Sequence, residues 1–138
     1  MGKCSTWNDG GLDMVVAVDF DGTLHDGKWP GIGNPLEGAI TTMKEIQELG
    51  IYIVIWTCRS GDDQTRMINW LLEHQIPFDR VNDNRPEQTA YFGNNSRKVN
   101  ADLYIDDKQI GGLPSWIDIY DYVRKAKADF DKKLSEKK

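Results

Sequence analysis

Cysteine is nearly absent: Cys4 and Cys58 are the only two in the chain, too few for a disulfide framework or a cysteine-built metal cluster. Cys58 directly follows an apolar run, and a thiol in that position reads as a small core residue. The two histidines, His25 and His74, read as solvated or helix-surface residues rather than catalytic ones. No stretch approaches the ~20 apolar residues of a membrane span, and residues 1–13 lack the apolar core of a secretion signal. A cytoplasmic protein with no membrane partner is therefore expected. Positive charge is in deficit, with 17 Lys and Arg against 22 Asp and Glu and a net charge of -5. That balance works against passive adhesion to nucleic acid or to an anionic membrane.

What remains suits one domain, since a chain of this size buries roughly 65 to 70% of its unfolded surface. Residues 1–13 are polar and glycine-rich and read as a flexible leader, 14–134 as the folded unit, and 135–138 as a charged tail. The run from Val15 to Val18 is continuously apolar and β-branched, the pattern of a strand covered on both faces in a parallel sheet, and two acids follow it. Asn34, Pro35 and Glu37 have the spacing of a capping box and predict a helix starting at Pro35 and ending at Gly50, with Leu36, Ala39, Ile40, Met43 and Ile46 inward. A second strand is expected over 51–56, and a helix over 60–74 with Met67, Ile68, Leu71 and Leu72 inward. A short strand over 80–82, an aperiodic polar loop over 83–97, a short strand over 103–105 and a helix over 115–134 complete the reading. Strand and helix alternate throughout, which predicts an α/β fold: an open parallel, Rossmann-like sheet with helices on both faces.

Open α/β sheets place their sites beyond the carboxyl ends of the strands. Three strands end there in reactive residues: Asp19 and Asp21, then Thr57, then Asp106 and Asp107. So many carboxylates in one place repel one another unless a cation joins them, and hard oxygen donors suit Mg²⁺. A phosphate would need a basic partner as well, for which Lys98 is the candidate and Arg97 the alternative. Thr57 offers a hydroxyl and a strand-end amide to a phosphoryl oxygen, and Gly22 lets the backbone turn tightly beside it.

The segment Asp19-Phe20-Asp21-Gly22-Thr23 after an apolar strand resembles the first signature of the haloacid dehalogenase superfamily of phosphotransferases. Thr57, Lys98 and the Asp106-Asp107 pair resemble its second, third and fourth signatures in order. The resemblance implies that Asp19 is the nucleophile and a Mg²⁺ ligand, and that Asp21 is the general acid and base with its carbonyl on the metal. It implies that Thr57 and Lys98 hold the phosphoryl group, and that Asp106 and Asp107 bind Mg²⁺ directly or through water. Gly22, Thr23, Cys58 and Arg59 would line the substrate. The acid at Asp21 favours a phosphatase over a dehalogenase, because a carbon–halogen bond offers no oxygen to protonate.

The chain between Thr23 and Thr57 and between Thr57 and Lys98 is too short for a folded cap, so a capless member is expected. Its open site would admit a nucleotide or the end of a nucleic acid, or it would serve a small metabolite and be closed by a second copy in a homodimer. Arg59 is placed to grip a neighbouring phosphate, and Thr57 with Arg59 is similar to an arrangement in the phosphatase domains of polynucleotide end-healing enzymes. Trp29, Tyr91 and Phe92 would offer rings to a base. Two other readings compete. A calcium loop at Asp19 lacks the later acids it needs, and a receiver-type phospho-acceptor module lacks a lone Asp ending a middle apolar strand.

Overall fold

A computed structural model describes residues 13–136. The expectations placed on residues 1–12, Cys4 among them, and on 137–138 lie outside the described residues. Four strands, β1 (Val15–Asp19), β2 (Tyr52–Trp56), β3 (Arg80–Val81) and β4 (Leu103–Ile105), form one parallel sheet in the order β3-β2-β1-β4. Four helices accompany them: α1 (Ala39–Glu48), α2 (Gly61–Glu73), α3 (Pro86–Phe92) and α4 (Trp116–Glu136). The α/β expectation holds.

The helix layers follow from handedness. β1, β2 and β3 step across the sheet in one direction, so right-handed crossovers put α1 and α2 on the same face. The return from β3 across β2 and β1 to β4 runs the other way and puts α3 on the opposite face. α4 packs on α1. The larger core therefore lies under three helices, where Met14, Val16, Val18, Ile53, Ile55 and Ile105 of the sheet meet Met43, Ile46, Met67, Leu71, Ile119 and Val123. The other face has a small cluster of Val15, Val54 and Val99, and Arg85 at the start of α3 lies 4.5 Å over the Tyr52 ring.

Several local expectations are corrected. α1 begins at Ala39, not Pro35, because the backbone before it is used elsewhere: Leu36 N–H donates to the Leu24 carbonyl and Asp26 N–H to that of Asn34. The pairing of His25 with Pro35 thus competes with the first helical turn and wins. In α2 the inward residues are Met67, Trp70 and Leu71, whereas Leu72 is exposed. The stretch 83–97 is not a bare loop, since it contains α3, whose two turns bury only Gln88 and so leave little apolar periodicity to read. The last helix continues to Glu136, past the start of the expected tail, with exposed ion pairs such as Lys127 with Asp131 along it. Among the described residues no helix is long and apolar enough to cross a membrane.

Candidate functional site

The register of the sheet builds the site. Val18 pairs with Ile105 across β1 and β4, so the next step along each strand brings Asp19 level with Asp106. Asp19, Asp106 and Asp107 each offer a carboxylate oxygen, and all three oxygens lie within 4.8 Å of one another. Beyond Asp19 the chain tucks Phe20 into the core and turns at once, with Leu24 N–H donating 2.9 Å to the Phe20 carbonyl. Gly22 makes that turn possible: its φ is 78°, and a Cβ there would stand 2.3 Å from Asp107 Oδ2.

Thr23, wholly buried, ties the two strand ends together. Its hydroxyl donates to Asp19 Oδ2 at 3.0 Å and accepts the Asp107 N–H at 3.0 Å. From below, the Trp116 indole N–H donates 3.0 Å to the Thr23 carbonyl, so the first residue of α4 also braces this loop. Burial foremost, then the shared hydrogen bond with Asp107 and the charge of Asp106, push the Asp19 carboxyl up to about 7.

Asp21 stands apart from this trio. Arg59 Nε and Nη2 donate to its two oxygens at 2.9 and 2.7 Å, and His25 Nε2 lies 2.8 Å from Oδ1. Burial raises the Asp21 carboxyl, but the hydrogen bonds from Arg59 and His25 and the guanidinium charge outweigh it, so its pKa falls below the ordinary carboxylate value. The Asp21 carboxylate, expected to act as acid and base, is thus held on the guanidinium, while the metal role expected of Asp21 belongs to its backbone carbonyl.

No protein-family model matches the chain, and no curated protein does. Among solved structures, a conserved protein from Bacteroides thetaiotaomicron is 35% identical, with 83% of this chain and 93% of that chain covered and a TM-score of 0.74. The chain belongs to that protein's family. A second structure, a target protein from Vibrio cholerae, is 27% identical over 49% of this chain and 67% of its own, with a TM-score of 0.40.

Within this family member, the remaining expected site residues divide into those near a strand end and those elsewhere. Thr57 follows β2, but its amide is already engaged, donating 2.7 Å to Asn82 Oδ1, while its carbonyl accepts from Asn82 Nδ2 at 2.7 Å. Asn82 holds that clamp at φ 54°, a left-handed conformation Asn tolerates better than most residues. The strand-end amide expected to face a phosphoryl oxygen is therefore used internally, and the Thr57 hydroxyl, which accepts the Arg59 N–H at 3.0 Å, keeps its own hydrogen to give. Cys58 is exposed, not a core residue, because the chain has already left the sheet there.

Arg59 is not a surface grip. It is 1% exposed, and its guanidinium is closed in by Asp21, the Pro30 and Gly31 carbonyls and the Trp29 ring at 4.8 Å. His25, read as solvated, is fully buried. His74 is half-buried on α2 against Trp70, ring to ring at 4.1 Å.

Lys98 lies away from the acids. Its ammonium sits 4.9 Å over the Tyr104 ring, and it lines a cavity of about 520 Å³ with Gln88, Phe92 and Asn94 in which none of the three aspartates takes part. Arg97 is exposed beside it. The reason is directional: the chain preceding a parallel strand enters at the end opposite the one where that strand's acids emerge. Val99 packs on Val15 and Asp102 N–H donates to the Val15 carbonyl, both at the start of β1. Tyr91 and Phe92 pair edge to face at 4.7 Å on α3. Thr23, expected to line the substrate, is instead the wholly buried hub between the strands, a role for which its place at the end of the 19–23 signature was the signal.

Proposed function

We propose that the chain is a phosphomonoester hydrolase of the haloacid dehalogenase type, with Asp19 as nucleophile. The observation that carries this reading is the convergence of Asp19, Asp106 and Asp107 at adjacent parallel strand ends, with oxygens within 4.8 Å. Three hard anionic donors so close, with one carboxyl pushed up to about 7, are suited to a divalent cation, and Mg²⁺ is the one such a donor set fits. Asp19, Asp106 and Asp107 would hold it. Bound there, Mg²⁺ would supply positive charge to offset both the carboxylates and the phosphoryl oxygens.

The chain's own residues supply the rest. Ionised Asp19 attacks phosphorus, forming an oxygen–phosphorus bond as the bond to the leaving oxygen breaks. Asp21 gives a proton to that leaving oxygen, then takes one from the water that attacks the phosphorylated Asp19 and regenerates the free carboxylate. The ion pair with Arg59 favours the second of these duties, since it favours the ionised form of Asp21. Thr23 keeps the attacking carboxylate oriented through its 3.0 Å hydrogen bond to Oδ2. The Thr57 hydroxyl is the donor left for a phosphoryl oxygen on the β2 side.

The substrate is best read as a small phosphate ester. Of the four groups that favoured a nucleic-acid end, Arg59 is engaged with Asp21 and covered by the Trp29 ring, and Tyr91 and Phe92 pack on each other. The test is to incubate the chain with p-nitrophenyl phosphate, a panel of phosphorylated metabolites, nucleotides and phosphate-ended oligonucleotides, with Mg²⁺ and with chelator. Activity should require Mg²⁺, Asp19→Asn should lower kcat by about a thousandfold or more, and mass spectrometry of a quenched reaction should find a phosphoryl group on Asp19. A well-folded Asp19→Asn protein that keeps more than about a tenth of the activity would end the proposal.

A further inference from the structure

Arg59 is the largest fully buried side chain among the described residues, and its partners come from two different parts of the site. Two of its nitrogens hold the carboxylate of Asp21. Nη2 also donates to the Pro30 and Gly31 carbonyls at 3.0 and 3.2 Å, and the Trp29 ring covers the guanidinium at 4.8 Å. Residues 29–31 are the tip of a flap that leaves the site after His25 and returns before Pro35, the two residues paired at its base.

His25 makes the same connection at the flap's neck. Its Nδ1 accepts N–H groups from Gly27 at 3.0 Å and Gly33 at 3.1 Å. A ring nitrogen that accepts carries no hydrogen, so the hydrogen is on Nε2 and points at Asp21 Oδ1, 2.8 Å away. Gly27 and Gly33 cross so tightly that a Cβ on Gly27 would stand 2.3 Å from Gly33 N. The flap is therefore bound to one carboxylate twice, at the tip through Arg59 and at the neck through His25.

We propose that Arg59 and His25 are positioning residues that couple the seating of Asp21 to closure of the 26–33 flap, so that neither can let go without the other. A buried guanidinium cannot give up its carboxylate and keep its place, because the charge would stand uncompensated in the core. Opening the flap removes the Pro30 and Gly31 carbonyls and the Trp29 ring from Arg59, and with them the enclosure that fixes Asp21. Closure over a bound substrate restores Asp21 to its seat on Arg59 and His25. With no folded cap among the described residues, water exclusion would thus be linked to delivery of the acid and base through one short loop. The catalytic consequence rests on the phosphatase reading above; the coupling itself does not.

The experiment is hydrogen–deuterium exchange on the full chain, read on peptides spanning 20–36, for the unmodified protein, Asp21→Asn and Arg59→Lys. Both variants should speed flap exchange by about tenfold or more while α1 and α4 exchange unchanged. Should Arg59→Lys fail to fold, Asp21→Asn alone decides, and flap exchange within about twofold of the unmodified chain overturns the proposal. A second arm measures turnover of an alkyl phosphate. A positioning role predicts that Arg59→Lys lowers kcat by about tenfold or more with KM changed by less than about threefold, whereas a loss confined to KM would put Arg59 on the substrate and refute that role. If the unmodified chain hydrolyses no phosphate ester, the proposed reaction falls while the exchange arm still tests the coupling.

Discussion

The Asp19 carboxyl is the residue whose chemistry is most altered by folding. Its pKa is raised by burial, then by Asp107 and Asp106, to about 7, so in the absence of a cation the ionised form is disfavoured in the folded chain. Its contribution to stability is fully present below its unfolded value and is lost as pH rises through about 7. Two outcomes are expected. Metal-free Asp19→Asn should melt at a higher temperature than the unmodified chain at pH 8, with a smaller difference at pH 5, as thermal denaturation across that range would report. Mg²⁺ should also bind more weakly as pH falls below about 7, with proton release on binding that calorimetry in buffers of different ionisation enthalpy would detect. Gly22 carries a separate prediction. Gly22→Ala places a methyl where the Asp107 carboxylate now lies and a side chain at φ 78°. It should cost about 1 to 3 kcal/mol of stability from backbone strain, measured by urea denaturation, and weaken Mg²⁺ binding further by moving Asp107.

At the scale of elements, the site depends on pieces that carry none of its chemistry. Asn84 is 5% exposed and joins the chain after β3 to the chain before β4: its Nδ2 donates to Asn95 Oδ1 at 2.8 Å and to the Ser96 carbonyl at 3.1 Å, and its Oδ1 accepts the Asn100 N–H at 2.7 Å. Asn84→Ala should cost about 1 to 3 kcal/mol, since it strands partially buried backbone groups. Proteolysis should then concentrate in residues 94–100, while Mg²⁺ affinity, set on the far end of β4, should stay unchanged. Trp116 works in the other direction, because it begins α4 and bonds the Thr23 carbonyl, so the longest helix is fastened directly to the loop that orders Asp19.

For the whole molecule, the parallel sheet concentrates negative charge at one edge, and that edge is where cation binding and folding are linked. A cation that binds the folded chain at a hundred times its dissociation constant adds about 2.7 kcal/mol. Thermal denaturation with Mg²⁺ and with chelator should therefore differ by several degrees at pH 8. Replacing both Asp106 and Asp107 by Asn should remove the difference. A shift that survives the double substitution would place the cation elsewhere.

Much of this was legible from the residues alone. The apolar, β-branched runs before Asp19 and after Gly50 and the short apolar stretch before Asp106 marked strands, and parallel strands deliver the residues that follow them to one end of the sheet. Lys98 was expected at the site because it lies close to Asp106 along the chain, but residues upstream of a parallel strand enter at the other end, so a short distance in sequence became a long one in space. The tertiary structure alone decided the fates of His25, Arg59 and Asp21. A partly buried ion pair joins residues 38 positions apart, and local sequence records neither partner of such a pair nor the flap carbonyls that complete it. The strand pattern is written in neighbouring side chains, each responding to its own burial, whereas the network around Asp21 exists only once crossovers have brought β1, the flap and the end of β2 together.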